Sequence, residues 1–257
     1  MTKKYIQDFT LVDKRQVTPA CHLLKLAPAR GGSLPTMLPG QFVQVEVAGS
    51  KTTFLRRPIS VNFVDPCDNT LWLLVRCAGE GTVSLVNNPV GAIVNLVLPL
   101  GNGFDATPGG RRLLIGGGVG VAPLLYLGKV LRDAGTSVTF LLGARSAADL
   151  ALVEEFEKYG SVCISTEDGS RGERGFVTMH SVMNESFDLI QCCGPMPMMK
   201  AVARKAREMG TPCEVSLENL MACGIGACLC CVEDTTDGGN VCVCKEGPVF
   251  NIDRLKW

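Results

Sequence analysis

The chain has 257 residues, a length that suits two domains and a small additional module better than a single domain. Its 25 lysines and arginines balance its 25 aspartates and glutamates, which excludes a broad basic surface for nucleic acid. Its 13 cysteines are an odd number, which argues against a secreted, fully disulfide-bonded protein. The first ten residues, MTKKYIQDFT, are polar and charged and lack the apolar core of a signal peptide, so we expect a cytoplasmic protein.

The first third of the chain alternates short β-rich runs with turns. The runs are YIQDFTLVDK, CHLLKLAP, QFVQVEVAG, RRPISVNFVD, TLWLLVRCAG and AIVNLVLPLG, and turn pairs such as Gly31-Gly32 and Pro39-Gly40 separate them. This pattern predicts a small antiparallel β-barrel domain over residues 1–104, with one short helix after Thr82.

Two features of this barrel predict a site for a dinucleotide phosphate. The motif RRPIS, at 56–60, includes Arg57, whose guanidinium is planar and permanently charged, although two arginines also suit a solvated strand edge. Further along, Gly79, Gly81 and Thr82 precede the short helix, and a glycine turn at a helix start presents free N–H groups to an anion. The pair of features is more specific than either one.

From Arg111 the pattern changes to alternating strands and helices. The strand segments are RRLLIGGG, VTFLLGARS, VCIST, FDLIQCCG and PCEVSLE, and the helix segments are PLLYLGKVLRDAG, AADLALVEEFEKYG and PMPMMKAVARKAREMG. Such alternation predicts an α/β domain over residues 105–215, whose parallel sheet binds ligands at the carboxyl ends of its strands. The uncharged segment at 113–128 is short and interrupted by glycines and Pro123, so we expect no membrane span.

Two strand ends of this predicted sheet contain glycine. GGGVGVAP, at 116–123, departs from the G-x-G-x-x-G dinucleotide pattern at Val121, and a tight turn without a ligand is the alternative. CCGPMPMM, from Cys192, also joins a strand to a helix. Because both belong to one parallel sheet, they predict a shared ligand crevice.

The last part of the chain, residues 216–257, contains clustered cysteines. Cys223, Cys228 and Cys231 have the C-x4-C-x2-C spacing typical of a plant-type [2Fe-2S] site, and Cys244 is a plausible fourth ligand. Glycines and alanines between them allow the backbone to approach a cluster closely. Structural zinc on Cys228, Cys231, Cys242 and Cys244 is the alternative, but it leaves Cys223 and the glycines unexplained.

Motifs along nearly the whole chain resemble those of one family. RPIS, GEGT, LGNGF, GGGVGVAPLL, EDGSRGERGFVT, CGPMPMMKAV, SLENLMACGIGACLCC and CKEGPVF resemble, in this order, the electron-transfer subunits of class 1B dihydroorotate dehydrogenase, within the ferredoxin-reductase superfamily. The resemblance implies an FAD-binding barrel, an NAD-binding α/β domain and a C-terminal [2Fe-2S] domain. It also implies an FMN-containing catalytic partner in pyrimidine biosynthesis, assembled as a heterotetramer with two copies of each subunit.

The same resemblance implies the site residues. It places FAD on Arg57, Pro58, Ile59, Ser60, Leu74, Val75, Arg76, Gly81 and Thr82, and the cluster on Cys223, Cys228, Cys231 and Cys244. We expect NAD at Gly117, Gly118, Gly120, Cys193 and Gly194. The wider superfamily commonly has an aromatic residue at the position of Ile59, so the resemblance leaves the packing partner of the flavin ring unnamed, and Cys242 is the alternative to Cys244.

These cofactors suggest an electron relay. NADH gives two electrons as a hydride and the cluster takes one, so a flavin must join the two steps. We therefore expect no catalytic acid or base in this chain, and a partner surface that includes Ile225 and Leu229. Two alternatives remain: a related NAD(P)H reductase subunit, in which Arg145 and Ser146 bind a 2′-phosphate, and a zinc-stabilised interaction module.

Overall fold

The first third of the chain forms a closed antiparallel barrel in the computed structural model, which describes residues 3–50 and 52–257. Its strands are β1 (Tyr5–Thr18), β2 (Cys21–Pro28), β3 (Phe42–Val45), β4 (Arg57–Asp65), β5 (Thr70–Arg76) and β6 (Ile93–Leu100). They pair in the order β1-β2-β5-β4-β3-β6. Large side chains such as Phe9, Leu26 and Leu71 fill the interior. The predicted barrel is confirmed.

The short helix of the barrel domain, α1 (Glu80–Asn87), begins earlier than predicted. We expected it after Thr82, but Thr82 lies in its first turn, and its hydroxyl oxygen accepts the N–H groups of Ala78, at 3.0 Å, and Gly79, at 3.2 Å. These bonds satisfy donors that an α-helix start leaves free, so the helix can begin at the glycine.

The middle of the chain forms a sheet of parallel strands, as predicted. Its strands are β7 (Arg111–Gly117), β8 (Ser137–Ala144), β9 (Ser161–Thr166), β10 (Glu173–Arg174), β11 (Leu189–Cys193) and β12 (Cys213–Ser216). The helices α2 (Ala122–Asp133), α3 (Val153–Glu157) and α4 (Met196–Met209) connect them. The sheet continues from β7 to β8 on one side and to β11 on the other, so the strand order reverses beside β7. Ligands bind at such reversal points in α/β sheets.

One predicted helix, AADLALVEEFEKYG, is largely absent. The segment instead contains a 3-10 turn at Ala147–Asp149 and the single-turn α3, separated by Leu152 with a φ of 59°. The side chains of Ala151, Leu152 and Val153 are all buried. Three consecutive residues of a helix point in directions about 100° apart, so a continuous helix could not bury all three against one surface.

The C-terminal part of the chain is a small unit attached to one edge of the sheet. It contains a hairpin of β13 (Val232–Asp234) and β14 (Asn240–Cys242), the short helix α5 (Val243–Glu246) and the strand β15 (Val249–Asn251). The last strand pairs antiparallel with β12 and completes a seven-stranded sheet in the order β10-β9-β8-β7-β11-β12-β15. We did not predict this pairing from the sequence.

Within residues 3–50 and 52–257, none of the helices is both long enough and apolar enough to span a membrane.

Candidate cofactor sites

The RRPIS motif lies at the start of β4, beside β3. In the register of this pair, Gln44 lies opposite Pro58 and Phe42 opposite Ser60. Val43 and Val45 belong to the barrel core, and Ile59 packs against it. Because side chains alternate along a strand, Pro58 and Ser60 lie on the outer face of the barrel. Both residues are half-buried.

The two predicted phosphate-binding features are in contact. A Cβ atom on Gly81 would lie 3.1 Å from Cδ of Arg57 and 2.9 Å from Cγ2 of Thr53, so only glycine fits there without displacement. Gly81 and Thr82 lie in the first turn of α1, where backbone N–H groups have no partner within the helix. A guanidinium and a helix start therefore converge, and both favour an anion.

The other predicted FAD residues lie at the end of β5. Leu74 and Val75 are buried, whereas Arg76 is exposed. Of these three, only Arg76 can present its side chain to a ligand, while the other two shape the strand behind it. The FAD ligand set as a whole stays a prediction.

A cavity of about 590 Å3 lies at the carboxyl ends of β7, β8 and β9, against the barrel. Two of the predicted NAD residues, Gly117 and Gly118, line it. Its walls also include the barrel residues Thr18, Cys21 and Arg76. The cavity therefore opens where the reversal of strand order predicts a ligand and lies next to the flavin-side strand β5.

Gly120, Cys193 and Gly194, also predicted for NAD, do not line this cavity; they pack together next to Gly117, which does. A Cβ atom on Gly120 would lie 2.5 Å from the Cys193 carbonyl oxygen and 2.5 Å from Cα of Gly194, so the two strand ends meet only because glycine is present. Burial raises the pKa of the Cys193 thiol well above its usual range. This thiol therefore stays protonated near neutral pH and is not a nucleophile.

Several residues of the cavity wall were missed or only partly considered in the sequence. Arg145 and Glu167 follow β8 and β9 directly, and Asp149 and Phe176 also line the cavity. The rule that ligands bind at carboxyl ends could have identified the first two. Arg145 Nη2 lies 3.7 Å from Asp149 Oδ1, so the arginine considered for a 2′-phosphate already faces a carboxylate.

The cysteine loop directs backbone N–H groups at its thiols. Ile225 and Ala227 donate to Sγ of Cys223 at 3.4 and 3.3 Å, and Gly226 donates to Sγ of Cys244 at 3.1 Å. Donors aimed at sulfur stabilise the thiolate form that iron requires. Sulfur-directed N–H groups also help to set the reduction potential of an iron–sulfur cluster.

The pKa values of Cys223 and Cys244 are nevertheless shifted in opposite directions. Burial opposes ionisation of Cys223, but the N–H groups of Ile225, Cys228 and Ala227 outweigh it and lower its pKa to about 6. Burial and the neighbouring Cys231 raise the pKa of Cys244 to about 12. Cys223 thus favours the thiolate form and Cys244 the protonated form. Binding of a metal cluster would release the proton of Cys244, because cysteine binds metal as a thiolate.

The four predicted ligands form two pairs. Cys228 is near enough to Cys223 to help lower its pKa, and Cys231 is near enough to Cys244 to help raise its pKa and to accept its backbone N–H at 3.3 Å. Within the described residues, no three His, Cys, Asp or Glu side chains are grouped around the position of one ion, as tetrahedral zinc would require. A two-iron cluster takes two thiolates on each iron, so the paired arrangement fits it better. Cys230 is exposed and Cys242 is half-buried.

Two domain families match parts of this chain. The iron-sulfur cluster binding domain of dihydroorotate dehydrogenase B matches residues 218–256. The oxidoreductase NAD-binding domain matches residues 114–204. The two matches contain the cysteine loop and most of the cavity wall, respectively.

Known proteins resemble the chain over most of its length. The dihydroorotate dehydrogenase B (NAD(+)) electron transfer subunit of Geobacillus thermodenitrificans is 39% identical, with 96% of each chain covered. The subunit of the same name from Shouchella clausii is 42% identical over 84% of this chain and 86% of its own. Among solved structures, a chain of an NADH-dependent reduced ferredoxin-NADP oxidoreductase is 30% identical with a TM-score of 0.84, over 97% of this chain and 90% of its own.

Proposed function

The chain belongs to the family of dihydroorotate dehydrogenase B electron transfer subunits, and we propose that it relays electrons between NAD and the FMN of a catalytic partner in pyrimidine biosynthesis. Its cofactors are FAD and a [2Fe-2S] cluster, with NAD as substrate. The observation behind the proposal is the contiguity of the candidate sites. The cavity lies against β5, the RRPIS motif is on neighbouring β4, and the cysteine loop packs against β3, the next strand.

We assign FAD binding to the outer face and the end of the barrel. Arg57 supplies a fixed positive charge, and the backbone N–H groups of Gly81 and Thr82 supply donors for the pyrophosphate. Pro58, Ile59 and Ser60 form the strand beneath the ring system, and Leu74, Val75 and Arg76 form its neighbour. Bound flavin supplies the exchange between two-electron and one-electron chemistry that the two other centres require.

We assign NAD to the cavity at the ends of the sheet. Gly117 and Gly118 leave room for the ligand at the strand ends. Gly120, Cys193 and Gly194 pack closely together next to them and fix the position of these strand ends. Arg76 of the barrel also lines this cavity, which supports binding of the nicotinamide ring next to the flavin. No acid or base of this chain has a part in the transfer, because a hydride moves without a separate proton.

We assign the cluster to Cys223, Cys228, Cys231 and Cys244. The N–H groups of Ile225, Gly226 and Ala227 support thiolate charge, and burial of Cys231 and Cys244 excludes water from one side. Ile225 and Leu229, which are 48% and 61% exposed, lie on the outer side of the same loop. We propose that they contact the catalytic subunit in a cytoplasmic assembly with two copies of each chain.

The proposed division of the chain follows from these assignments: residues 1–104 bind FAD, 105–215 bind NAD and 216–257 bind the cluster. The deciding experiment is the visible spectrum of anaerobically purified chain before and after addition of NADH. We expect flavin and iron–sulfur bands that both bleach. A colourless protein with stoichiometric zinc would refute the proposal, and failure to co-purify with a dihydroorotate-oxidising flavoprotein would refute the proposed partner.

A further inference from the structure

Gln44 lies at the contact between the barrel and the cysteine loop. In β3 it is opposite Pro58 on one side and Val97 on the other. Phe42, two residues earlier and on the same face, belongs to the core that contains Cys231 and Cys244. The side chain of Gln44 therefore points away from the barrel interior and toward the cysteine-containing unit.

The carboxamide of Gln44 has no protein partner. The residue is 1% exposed, and neither Nε2 nor Oε1 has a hydrogen-bond partner within the described part of the chain. Buried polar groups in native proteins are almost always paired with protein, water or ligand. A buried amide with both polar atoms free therefore indicates a group that this chain alone does not supply.

The cysteine loop is shaped to receive this amide. Gly224, directly after Cys223, has a φ of 71°, and a Cβ atom there would lie 2.8 Å from Nε2 of Gln44. Only glycine combines this backbone conformation with so close an approach. On the next residues of the loop, backbone N–H groups already donate to the thiol sulfurs of Cys223 and Cys244.

We propose that the side-chain N–H of Gln44 donates a hydrogen bond to a sulfur of the iron–sulfur cluster and so raises its reduction potential. This inference rests on the proposed cluster ligands. A donor to sulfur stabilises the reduced cluster, which is one electron more negative, over the oxidised one. Gln44 belongs to β3 of the barrel domain, to which we assign FAD. The hydrogen bond would therefore act on the reduction potential of the cluster from the side nearest the barrel.

The flavin is the other possible acceptor, since Pro58 lies opposite Gln44. The close approach favours the cluster, because the nitrogen of the amide lies against the residue after Cys223. The apolar neighbours point the same way: Phe42 packs with Cys231 and Cys244 rather than with the barrel core.

The test is an anaerobic redox titration of the full chain with its flavin and cluster bound. Gln44→Met keeps the shape of the side chain and removes the donor. We expect the midpoint reduction potential of the cluster, followed by electron paramagnetic resonance, to fall by about 59 mV. This shift corresponds to a tenfold change in the equilibrium constant for one-electron reduction. The flavin midpoint, followed by absorbance, should not change. Titrated at a pH above the raised pKa that burial gives its carboxyl, Gln44→Glu places an anion at the same position and should lower the cluster midpoint further.

Gln41→Met is the matched control. Gln41 is also 1% exposed, but its amide accepts from the Leu38 N–H at 2.7 Å and donates to the Gly101 carbonyl oxygen at 2.8 Å. Its replacement should lower the melting temperature and leave the cluster midpoint unchanged.

Two results would overturn the inference. One is an unchanged cluster midpoint in both Gln44 variants, and the other is a shift confined to the flavin. If Gln44→Met does not retain its cluster, the Gln44→Glu titration decides the question. Absence of an iron–sulfur signal in the unaltered chain would instead refute the cluster ligands, so the two failures are distinguishable.

Discussion

Arg56 and Arg57 are adjacent in the sequence but have different environments in the structure. The guanidinium of Arg56 donates to the backbone oxygen of Asn95 at 3.0 Å and to its side-chain oxygen at 2.6 Å. Arg57 instead lies against Gly81 at the start of α1. The first arginine therefore fastens the segment just before β4 to β6, and the second is available to a ligand.

The contact between Arg57 and Gly81 predicts a specific effect on FAD. Gly81→Ala would force a methyl group against Cδ of Arg57 and Cγ2 of Thr53, and should weaken FAD binding about tenfold or more, as a loss of about 1.4 kcal/mol would. The measurement is flavin content and FAD affinity after removal and titration of the cofactor. Gly79→Ala is the control, because a Cβ there meets nothing within 4 Å. Equal FAD affinity in the two variants would contradict the assignment.

Asp105, in the connection between barrel and sheet, predicts a pH-dependent effect on stability. Burial opposes its ionisation, but hydrogen bonds from Thr107 and the charge of Arg112, 3.5 Å away, outweigh it and lower the pKa of the carboxyl. A lowered folded-state pKa gives stability that is present above the unfolded value of about 3.9 and is lost as pH falls through the folded value.

Asp105→Asn should therefore cost about 1 kcal/mol at pH 7, the upper range for a partly exposed ion pair. The difference from the unaltered chain should shrink as the pH falls below about 4. Urea denaturation at several pH values measures it. A difference that persists undiminished at pH 3 would mean that the charge of Asp105 is not the cause.

At the scale of elements, the end of β8 carries charged groups that predict which of the two nicotinamide cofactors is preferred. Asp149 accepts from the Ser146 hydroxyl at 2.9 Å and faces Arg145 at 3.7 Å. The Asp149 carboxylate thus interacts with both residues considered for a 2′-phosphate, and Glu167 places a second carboxylate in the same cavity. This arrangement favours NAD over its phosphorylated form.

Asp149→Asn should raise the ratio of kcat/KM for NADPH to that for NADH about fivefold, since an exposed ion pair contributes up to about 1 kcal/mol. Dye reduction by the two cofactors measures this ratio. Asp133→Asn is the control, because Asp133 also pairs with a cation four residues away but does not line the cavity. An unchanged ratio in Asp149→Asn would show that this carboxylate does not select the cofactor.

The elements that the sequence predicted well have strong local patterns. β2 coincides with the run CHLLKLAP, and α4 with most of PMPMMKAVARKAREMG, because alternation, helical periodicity and a terminal glycine define them locally. Ala147–Asp149 and α3 were predicted as one helix because tertiary burial of 151–153 leaves no local signal. The cysteine spacing and glycine turns were visible in the sequence, whereas Thr18 and Cys21 reach the cavity from a distant part of the barrel and were not.

At the scale of the whole molecule, the C-terminal unit packs with both other parts of the chain. Val215 of β12 pairs with Phe250 of β15, and the same core includes Phe42 and Leu100 from the barrel. The three proposed domains therefore share buried apolar surface. We expect a destabilising substitution in β15 to lower the stability of the barrel as well.

Phe250→Ala should lower the stability of the whole chain by about 3–5 kcal/mol, as expected for a buried phenylalanine. In a Trp257→Phe background, fluorescence of Trp72 reports on the barrel and its contact with the parallel-sheet domain, and its denaturation midpoint should also fall. Phe54→Ala, at a site that is 89% exposed, should change stability by no more than about 0.5 kcal/mol. An unchanged Trp72 midpoint in Phe250→Ala would show that the barrel unfolds independently.

The two ends of the seven-stranded sheet have a consequence for self-association. The outermost strands, Glu173–Arg174 and Val249–Asn251, have only two and three residues. A strand edge with so few free N–H and C=O groups is a poor template for pairing with another chain. Each copy can therefore keep its cavity open and its cysteine loop exposed to a partner without aggregating through its sheet.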